Sequence, residues 1–207
     1  MRSYRQYCGL ARGLDVVGDR WALLIVRELL EGPRRYNELL DGLPGIATNL
    51  LAERLRDLEE TGVLVRHDDR TYGLTEWGQG LRDVVYALGR WARPLMGQVG
   101  DDEFRSHWLS HPIDLMYEGV DRSRPRLTVE VNTGDAPMTI ESAAGRVRVV
   151  PGQPASPDLV LSGPPDGIVS LLAGRLDRAG AAKRGVAVKG DVRKLAKLRP
   201  RSATGAT

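Results

Sequence analysis

Apolar residues in this 207-residue chain change their period near residue 101, and that change decides what the chain can fold into. Before it they recur every three or four positions, as in Leu51, Leu55 and Leu58, then Leu81, Val84, Val85, Leu88, Trp91 and Leu95. That spacing lays one apolar stripe along a helix of ~3.6 residues per turn. After it they alternate, as in Leu127, Val129 and Val131, then Met138 and Ile140, then Val147 and Val149. Alternation makes strands with one buried face. The expected class is α+β. A helical domain is predicted over 1–100, a linker over 101–109, a second α+β domain with a roughly five-stranded sheet over 110–200, and a disordered tail over 201–207.

Within the first half, helices are predicted over 10–17, 20–31, 35–40 and 48–61, with Asp19 as N-cap of the second and Gly62 as C′ residue of the fourth. The turn between the third and fourth carries Leu43-Pro44-Gly45. Two short β-like runs, 63–67 and 70–75, then form a hairpin tipped by Asp68-Asp69. Thr75 caps a long helix over 76–99, in which Pro94 should kink the axis or end it early. Helix, turn, helix, hairpin in that order is a winged-helix arrangement. In the second half, strands are predicted at 158–161 and 186–189, and helices at 167–173 and 191–198.

A winged helix needs a recognition helix with one locking face and one free face. Leu51, Leu55 and Leu58 supply the first. Thr48, Asn49, Ala52, Glu53 and Arg56 lie broadly opposite, with Arg54 on a flank. Base contacts are expected from Thr48, Asn49, Glu53 and Arg54, phosphate contacts from Arg34, Arg35, Arg66 and the wing residue Arg70, and a further DNA contact from Arg56. The competing reading makes Thr48 a cap and leaves Asn49, Glu53 and Arg56 merely solvated. Winged helices also bind proteins.

Charge points to nucleic acid but not to this half. Sequence pI is about 9.2 and the net charge is +3. Residues 1–99 hold 14 arginines, no lysine and 14 acidic residues, so the surplus lies beyond them. Residues 183–201 carry eight basic residues against the single Asp191. That segment reads as a solvated face or as a source of nonspecific phosphate contacts.

Several function classes are unfavoured. The longest apolar run, 21–26, is far short of the ~18–20 residues that cross a bilayer, so no membrane association is expected. The opening residues lack the apolar core of a secretion signal. One cysteine, Cys8, and three histidines leave no disulfide framework and no metal cluster to expect, which suits a reducing cytoplasm. No cofactor signature and no nucleophile elbow is present. The adjacent pairs Glu59-Glu60 and Asp68-Asp69 are not opposed across a cleft, so no enzyme is expected.

The segments Leu14-Asp15-Val16-Val17-Gly18-Asp19-Arg20-Trp21, Arg35-Tyr36-Asn37-Glu38-Leu39, Leu43-Pro44-Gly45-Ile46, Leu55-Arg56-Asp57-Leu58-Glu59 and Leu74-Thr75-Glu76-Trp77-Gly78 resemble HxlR-type winged-helix transcriptional regulators over about 6–95. The resemblance implies a bacterial homodimer on a pseudo-palindromic double-stranded operator, paired through segments around 10–17 and 81–95. Family members often have Ser where Ala47 stands, so the cap passes to Thr48 here, and their wing is usually longer. Several sense quinones, aldehydes or oxidants through a cysteine placed like Cys8, with Arg5 and Arg12 near it to favour the thiolate. A lone cysteine is otherwise a small hydrophobe.

The stretch 157–163, the helix around 168–172, residues 173–177 and 186–191 resemble the sterol carrier protein domain over about 110–200. That resemblance implies an apolar tunnel for a hydrophobic effector, walled by Leu115, Met116, Val129, Val131, Met138, Ile140, Leu171, Leu172 and Leu176. The competing reading is a solid core. The functional expectation is a dimeric regulator modulated by a hydrophobic molecule. The alternatives are a redox or electrophile sensor acting through Cys8, and a lipid-carrier or protein-interaction module that does not bind DNA.

Overall fold

A computed structural model describes residues 3–97, 100, 102–117, 126–196 and 198. The chain divides into two compact units, Met1–Arg93 and Pro94–Thr207. The tail expected over 201–207 and the end of the long helix at 98–99 lie outside the described residues.

The first unit opens with α1 (Gly9–Val17) and α2 (Ala22–Leu29). Ile25, Val26 and Leu29 have no exposed surface, which makes α2 the central helix. Asp19 does not cap it. Trp21 holds the N-cap position without a side-chain bond, the Ala22 N–H reaches the Asp19 carbonyl at 3.0 Å, and the Asp19 carboxylate goes to Arg54 instead. A two-residue strand that sequence reading did not anticipate, β1 (Arg34–Arg35), precedes α3 (Tyr36–Gly42) and α4 (Thr48–Glu60). Gly62 follows α4 at φ +77, the left-handed C′ position expected of it.

The wing strands β2 (Leu64–Arg66) and β3 (Thr71–Leu74) pair antiparallel, and β1 joins the far side of β3 with Arg34 opposite Tyr72. Thr75 Oγ1 accepts the Gly78 N–H at 3.0 Å and donates to the Gly62 carbonyl at 2.7 Å, so one hydroxyl caps the next helix and ties it to the end of α4. The predicted long helix is two: α5 (Glu76–Gln79) and α6 (Leu81–Ala92), divided at Gly80 and followed by a 3-10 turn through Pro94. A side chain at Gly78 would overlap the Val63 carbonyl, so glycine lets α5 sit directly on the wing backbone.

The second unit is α+β. A 3-10 turn (Ser106–Leu109) and α7 (Ser110–Met116) lead into β4 (Leu127–Asn132), β5 (Pro137–Ala143), β6 (Arg146–Pro151) and β7 (Leu159–Ser162). Helices α8 (Pro165–Leu172) and α9 (Arg178–Lys183), β8 (Ala187–Gly190) and α10 (Arg193–Ala196) complete it. The sheet order is β6-β5-β4-β7-β8, antiparallel except for the parallel β4–β7 pair. The predicted alternation holds on β4, where Leu127, Val129 and Val131 point into the core.

Residues 106–109, read from sequence as linker, belong to this unit. Leu109 is 1% exposed in its core, and Ser106 donates its N–H (3.0 Å) and its hydroxyl to the Asp135 carboxylate. Partial burial pushes the Asp135 carboxyl up, but these hydrogen bonds outweigh it and hold the group below the ordinary carboxylate range. The basic closing segment docks through Leu195 and Leu198, both in the core. Two of its cations pair within the unit, Lys194 with Asp158 at 2.8 Å and Arg193 with Asp191 at 2.9 Å. Lys197, Arg199 and Arg201 lie outside the described residues. At the sheet edge, Arg178 donates to the Val188 carbonyl of β8 at 2.8 Å, which helps protect an edge strand from further pairing.

Candidate nucleic-acid interface

Helix α4 is locked from below. Leu51, Leu55 and Leu58 are each at most 1% exposed, and Tyr36 Oη on α3 donates to the Thr48 carbonyl at 2.6 Å. Tyr36 is a positioning group that the sequence reading missed, because its hydroxyl finds a partner only once the turn brings α3 against α4. Thr48 does not cap. Ala47 occupies the N-cap position with no side-chain bond, and Thr48 is the first helical residue. An alanine in that position leaves the first N–H groups of α4 without a side-chain acceptor from the cap.

The nine residues expected to contact DNA divide into two groups. Thr48, Asn49, Glu53 and Arg56 on α4, Arg35 at the start of α3, and Arg66 and Arg70 on the wing are exposed. The Arg66 guanidinium lies 5.8 Å from the Tyr72 ring centroid, which holds it along the wing. Arg70 sits at the hairpin tip with φ +66, a left-handed conformation, beside an Asp69 carboxylate that accepts the Thr71 N–H (3.1 Å) and hydroxyl (2.7 Å). Those two bonds hold the Asp69 carboxyl below its ordinary range.

Arg34 and Arg54 are only partly exposed and are engaged. Arg34 Nε donates to the Glu28 carbonyl at 2.7 Å, closing the end of α2. Arg54 is 17% exposed and pairs with Asp19 (2.9 Å), Glu53 (2.9 Å) and Asp57. Arg54 therefore has both terminal nitrogens engaged, and Arg34 is held through Nε. The acidic residues that oppose DNA binding are thereby partly disarmed: Asp57 turns to Arg54, while Glu59 and Glu60 stand at the far end of α4.

Cys8 is exposed at the N-cap of α1. Its thiol is lowered by the backbone N–H groups of Ala11 and Leu10. The cause is therefore the open end of a helix, and not the arginines that the sequence reading invoked. Among the described residues no cluster of metal ligands occurs, and no helix is long and apolar enough to cross a membrane.

In the second unit, six of the nine expected tunnel residues are closed in. Val129, Val131 and Leu172 have no exposed surface, Ile140 and Leu171 have 1%, and Met138 has 4%. A side chain with no accessible surface borders no space as large as a water molecule, inside or out. Leu115, Met116 and Leu176 are half-buried. A cleft of about 350 Å³ does occur, but at the β4–β5 turn, lined by residues 132–137 and Gly163, and it shares none of the nine.

The HxlR-like helix-turn-helix family matches residues 16–99 and the SCP-2 sterol transfer family matches 118–200. The HTH-type transcriptional regulators YvaP and YodB of Bacillus subtilis are 33% and 35% identical over 87 and 84 residues. Those alignments take in 39% and 38% of this chain and 81% and 75% of the relatives. The chain belongs to the HxlR-like helix-turn-helix family. The regulator sll1512 of Synechocystis is 36% identical over 87 residues, 39% of this chain, and the match spans 64% of its length. Among solved structures, quinone-bound YodB is 34% identical, covering 41% of this chain and 96% of that one, with a TM-score of 0.39. The reduced redox regulator HypR is 29% identical, covering 42% and 92%, also at 0.39. In this HxlR-like chain the matched stretch contains α2 to α6 and the whole wing, so the exposed face of α4 lies inside the family region. Neither matched family is described by a reaction; one is named for a helix-turn-helix and the other for sterol transfer.

Proposed function

We propose that the protein regulates transcription by binding a pseudo-palindromic operator as a homodimer, with α4 of each copy in a major groove. The observation that carries this is the division of α4 into a leucine face with almost no exposed surface and a first turn and a half that presents Thr48, Asn49 and Glu53 to solvent. The first unit also exposes an apolar stripe. Leu10 and Leu14 on α1 are 73% and 42% exposed, and Val84, Leu88 and Trp91 on α6 are 46%, 47% and 74% exposed. A stripe of that extent suits burial against a second copy, which would repeat α4 about a two-fold axis as palindromic half-sites require.

Footprinting on DNA flanking the protein's own gene tests the reading. A protected pseudo-palindrome is expected, and absence of protection at low salt would overturn it. Asn49→Ala is expected to lose discrimination at one base pair, at a cost of about 1–3 kcal/mol. Arg70→Ala should instead weaken all sequences alike and lower the salt slope by about one. The closed core of the second unit favours the solid-core reading over an effector tunnel through Val129, Val131, Ile140, Leu171 and Leu172.

A second reading rests on Cys8, whose exposure and lowered thiol favour attack on electrophiles. Because the amides at the start of α1 stabilise the thiolate, the alkylation rate plotted against pH should rise through a midpoint below the ~8.5 of a free thiol. Benzoquinone should release operator from the parent and not from Cys8→Ser. An ordinary midpoint, or equal release from both, sinks this reading.

A further inference from the structure

Helix α4 carries two arginines that differ in environment. Arg56 is exposed. Arg54 has 17% of its side chain exposed and faces three carboxylates: Nη1 is 2.9 Å from Asp19 Oδ2 and also pairs with Asp57, and Nη2 is 2.9 Å from Glu53 Oε1. Glu53 and Asp57 belong to α4 itself. Asp19 does not: it stands in the turn between α1 and α2, directly after Gly18, whose N–H closes α1 on the Leu14 carbonyl at 2.9 Å.

A guanidinium shared among three carboxylates is over-neutralised. A phosphate brought to it would meet net negative charge, and a base-edge acceptor would have to displace charge-assisted hydrogen bonds. The same arrangement is well suited to holding. The apolar contacts of Leu51, Leu55 and Leu58 fix how deep α4 sits but tolerate small rotations about its axis. A directional bond to a residue outside the helix does not.

We propose that Arg54 is a positioning residue and not a base reader: its bond to Asp19 sets the rotation of α4 and so the direction of Thr48, Asn49 and Arg56. The same bond is the route by which a displacement of α1 reaches α4. Helix α1 starts at Cys8 and carries Leu10 and Leu14 of the apolar stripe, so whatever moves that helix pulls on Asp19 at its other end. The binding readouts rest on the DNA-binding reading proposed above, and amide exchange does not.

A double-mutant cycle of Asp19→Asn and Arg54→Met in the full chain tests it, at a temperature where circular dichroism shows every variant folded. Each single variant is expected to lose about tenfold in operator affinity, a magnitude typical of directly coupled residues. The double variant should be no worse than the poorer single. Affinity for random-sequence DNA and the order of preferred bases should stay as in the parent, and Arg54→Lys should recover part of the loss. The proposal is overturned if Asp19→Asn binds as tightly as the parent while Arg54→Met changes the preference at one base pair, which would make Arg54 a reader. It is equally overturned if both singles melt earlier yet bind operator normally when folded, which would leave the pair a merely structural role. If the parent protects no operator, the DNA-binding reading fails by itself. Amide exchange over residues 48–56 then decides the present inference: faster exchange in Asp19→Asn supports it and unchanged exchange overturns it.

Discussion

Arg27→Met is expected to lower the unfolding free energy by about 3–5 kcal/mol, the loss typical of breaking a buried ion pair from one side. Glu28 is 1% exposed, and its Oε1 accepts Arg27 Nε at 3.1 Å and Nη2 at 2.8 Å. Burial pulls the Arg27 guanidinium below its ordinary value, and the charge and hydrogen bonds of Glu28 partly restore it. The pair also seats α3. A side chain at Gly42 would overlap the Glu28 carboxylate, and Arg27 reaches the Gly42 carbonyl at 3.4 Å. Methionine keeps much of the arginine stem's packing but takes away both bonds to a carboxylate that has little water to turn to. Urea unfolding of the parent, Arg27→Met and Arg27→Met/Glu28→Leu separates the contributions. The double variant should recover most of the loss, because replacing both charges removes the desolvation cost along with the attraction. A loss under about 1 kcal/mol in the single variant would show a pair screened like a surface salt bridge.

Leu88→Arg is expected to convert the proposed homodimer to a monomer and to abolish operator protection at concentrations where the parent protects. In a two-fold interface each residue appears twice. Burying a leucine contributes about 1.5–3 kcal/mol, so losing two copies removes roughly 3–6 kcal/mol, or about two to four powers of ten in the dimer dissociation constant. The two introduced arginines then add repulsion between like charges. Leu88 is 47% exposed within its own unit, so the substitution leaves the core of that unit intact. Circular dichroism should therefore be unchanged while sedimentation velocity reports half the mass. A Leu88→Arg protein that still sediments as a dimer would move the interface elsewhere.

Much of the fold was legible in the sequence because its signals are local. The four- and three-residue spacing of Leu51, Leu55 and Leu58, the cap at Thr75, the C′ glycine at Gly62 and the alternation through Val129 and Val131 each depend on residues within a few positions of one another. The failures have non-local causes. Strand β1 is two arginines with no β pattern, and it exists because β3 offers an edge to Arg34 and Arg35. Asp19 has the position of a cap before an apolar run, but a guanidinium on α4 captures its carboxylate. Ser106 and Leu109 carry no local signal, because one polar and one apolar residue make no period; their burial needs Asp135 and the sheet core.

The candidate site separates along the same line. The leucine face of α4 and its opposite polar face follow from local spacing alone, since the 3.6-residue period depends only on backbone geometry. The same spacing names the side chains opposite the leucines: Thr48, Asn49, Ala52, Glu53 and Arg56. Which arginines stand exposed depends on partners that only the fold brings together. Arg54 is held by carboxylates and Arg34 by a carbonyl at its Nε, and both are partly buried, while Arg35, Arg56, Arg66 and Arg70 are exposed. The burial of Val129, Val131, Met138 and Ile140, which alternate on neighbouring strands, likewise depends on the helices packed against the sheet. The reason is the reach of the forces: apolar periodicity is imprinted every few residues, whereas the partner of a charge and the space beside a side chain depend on segments brought together from far along the chain.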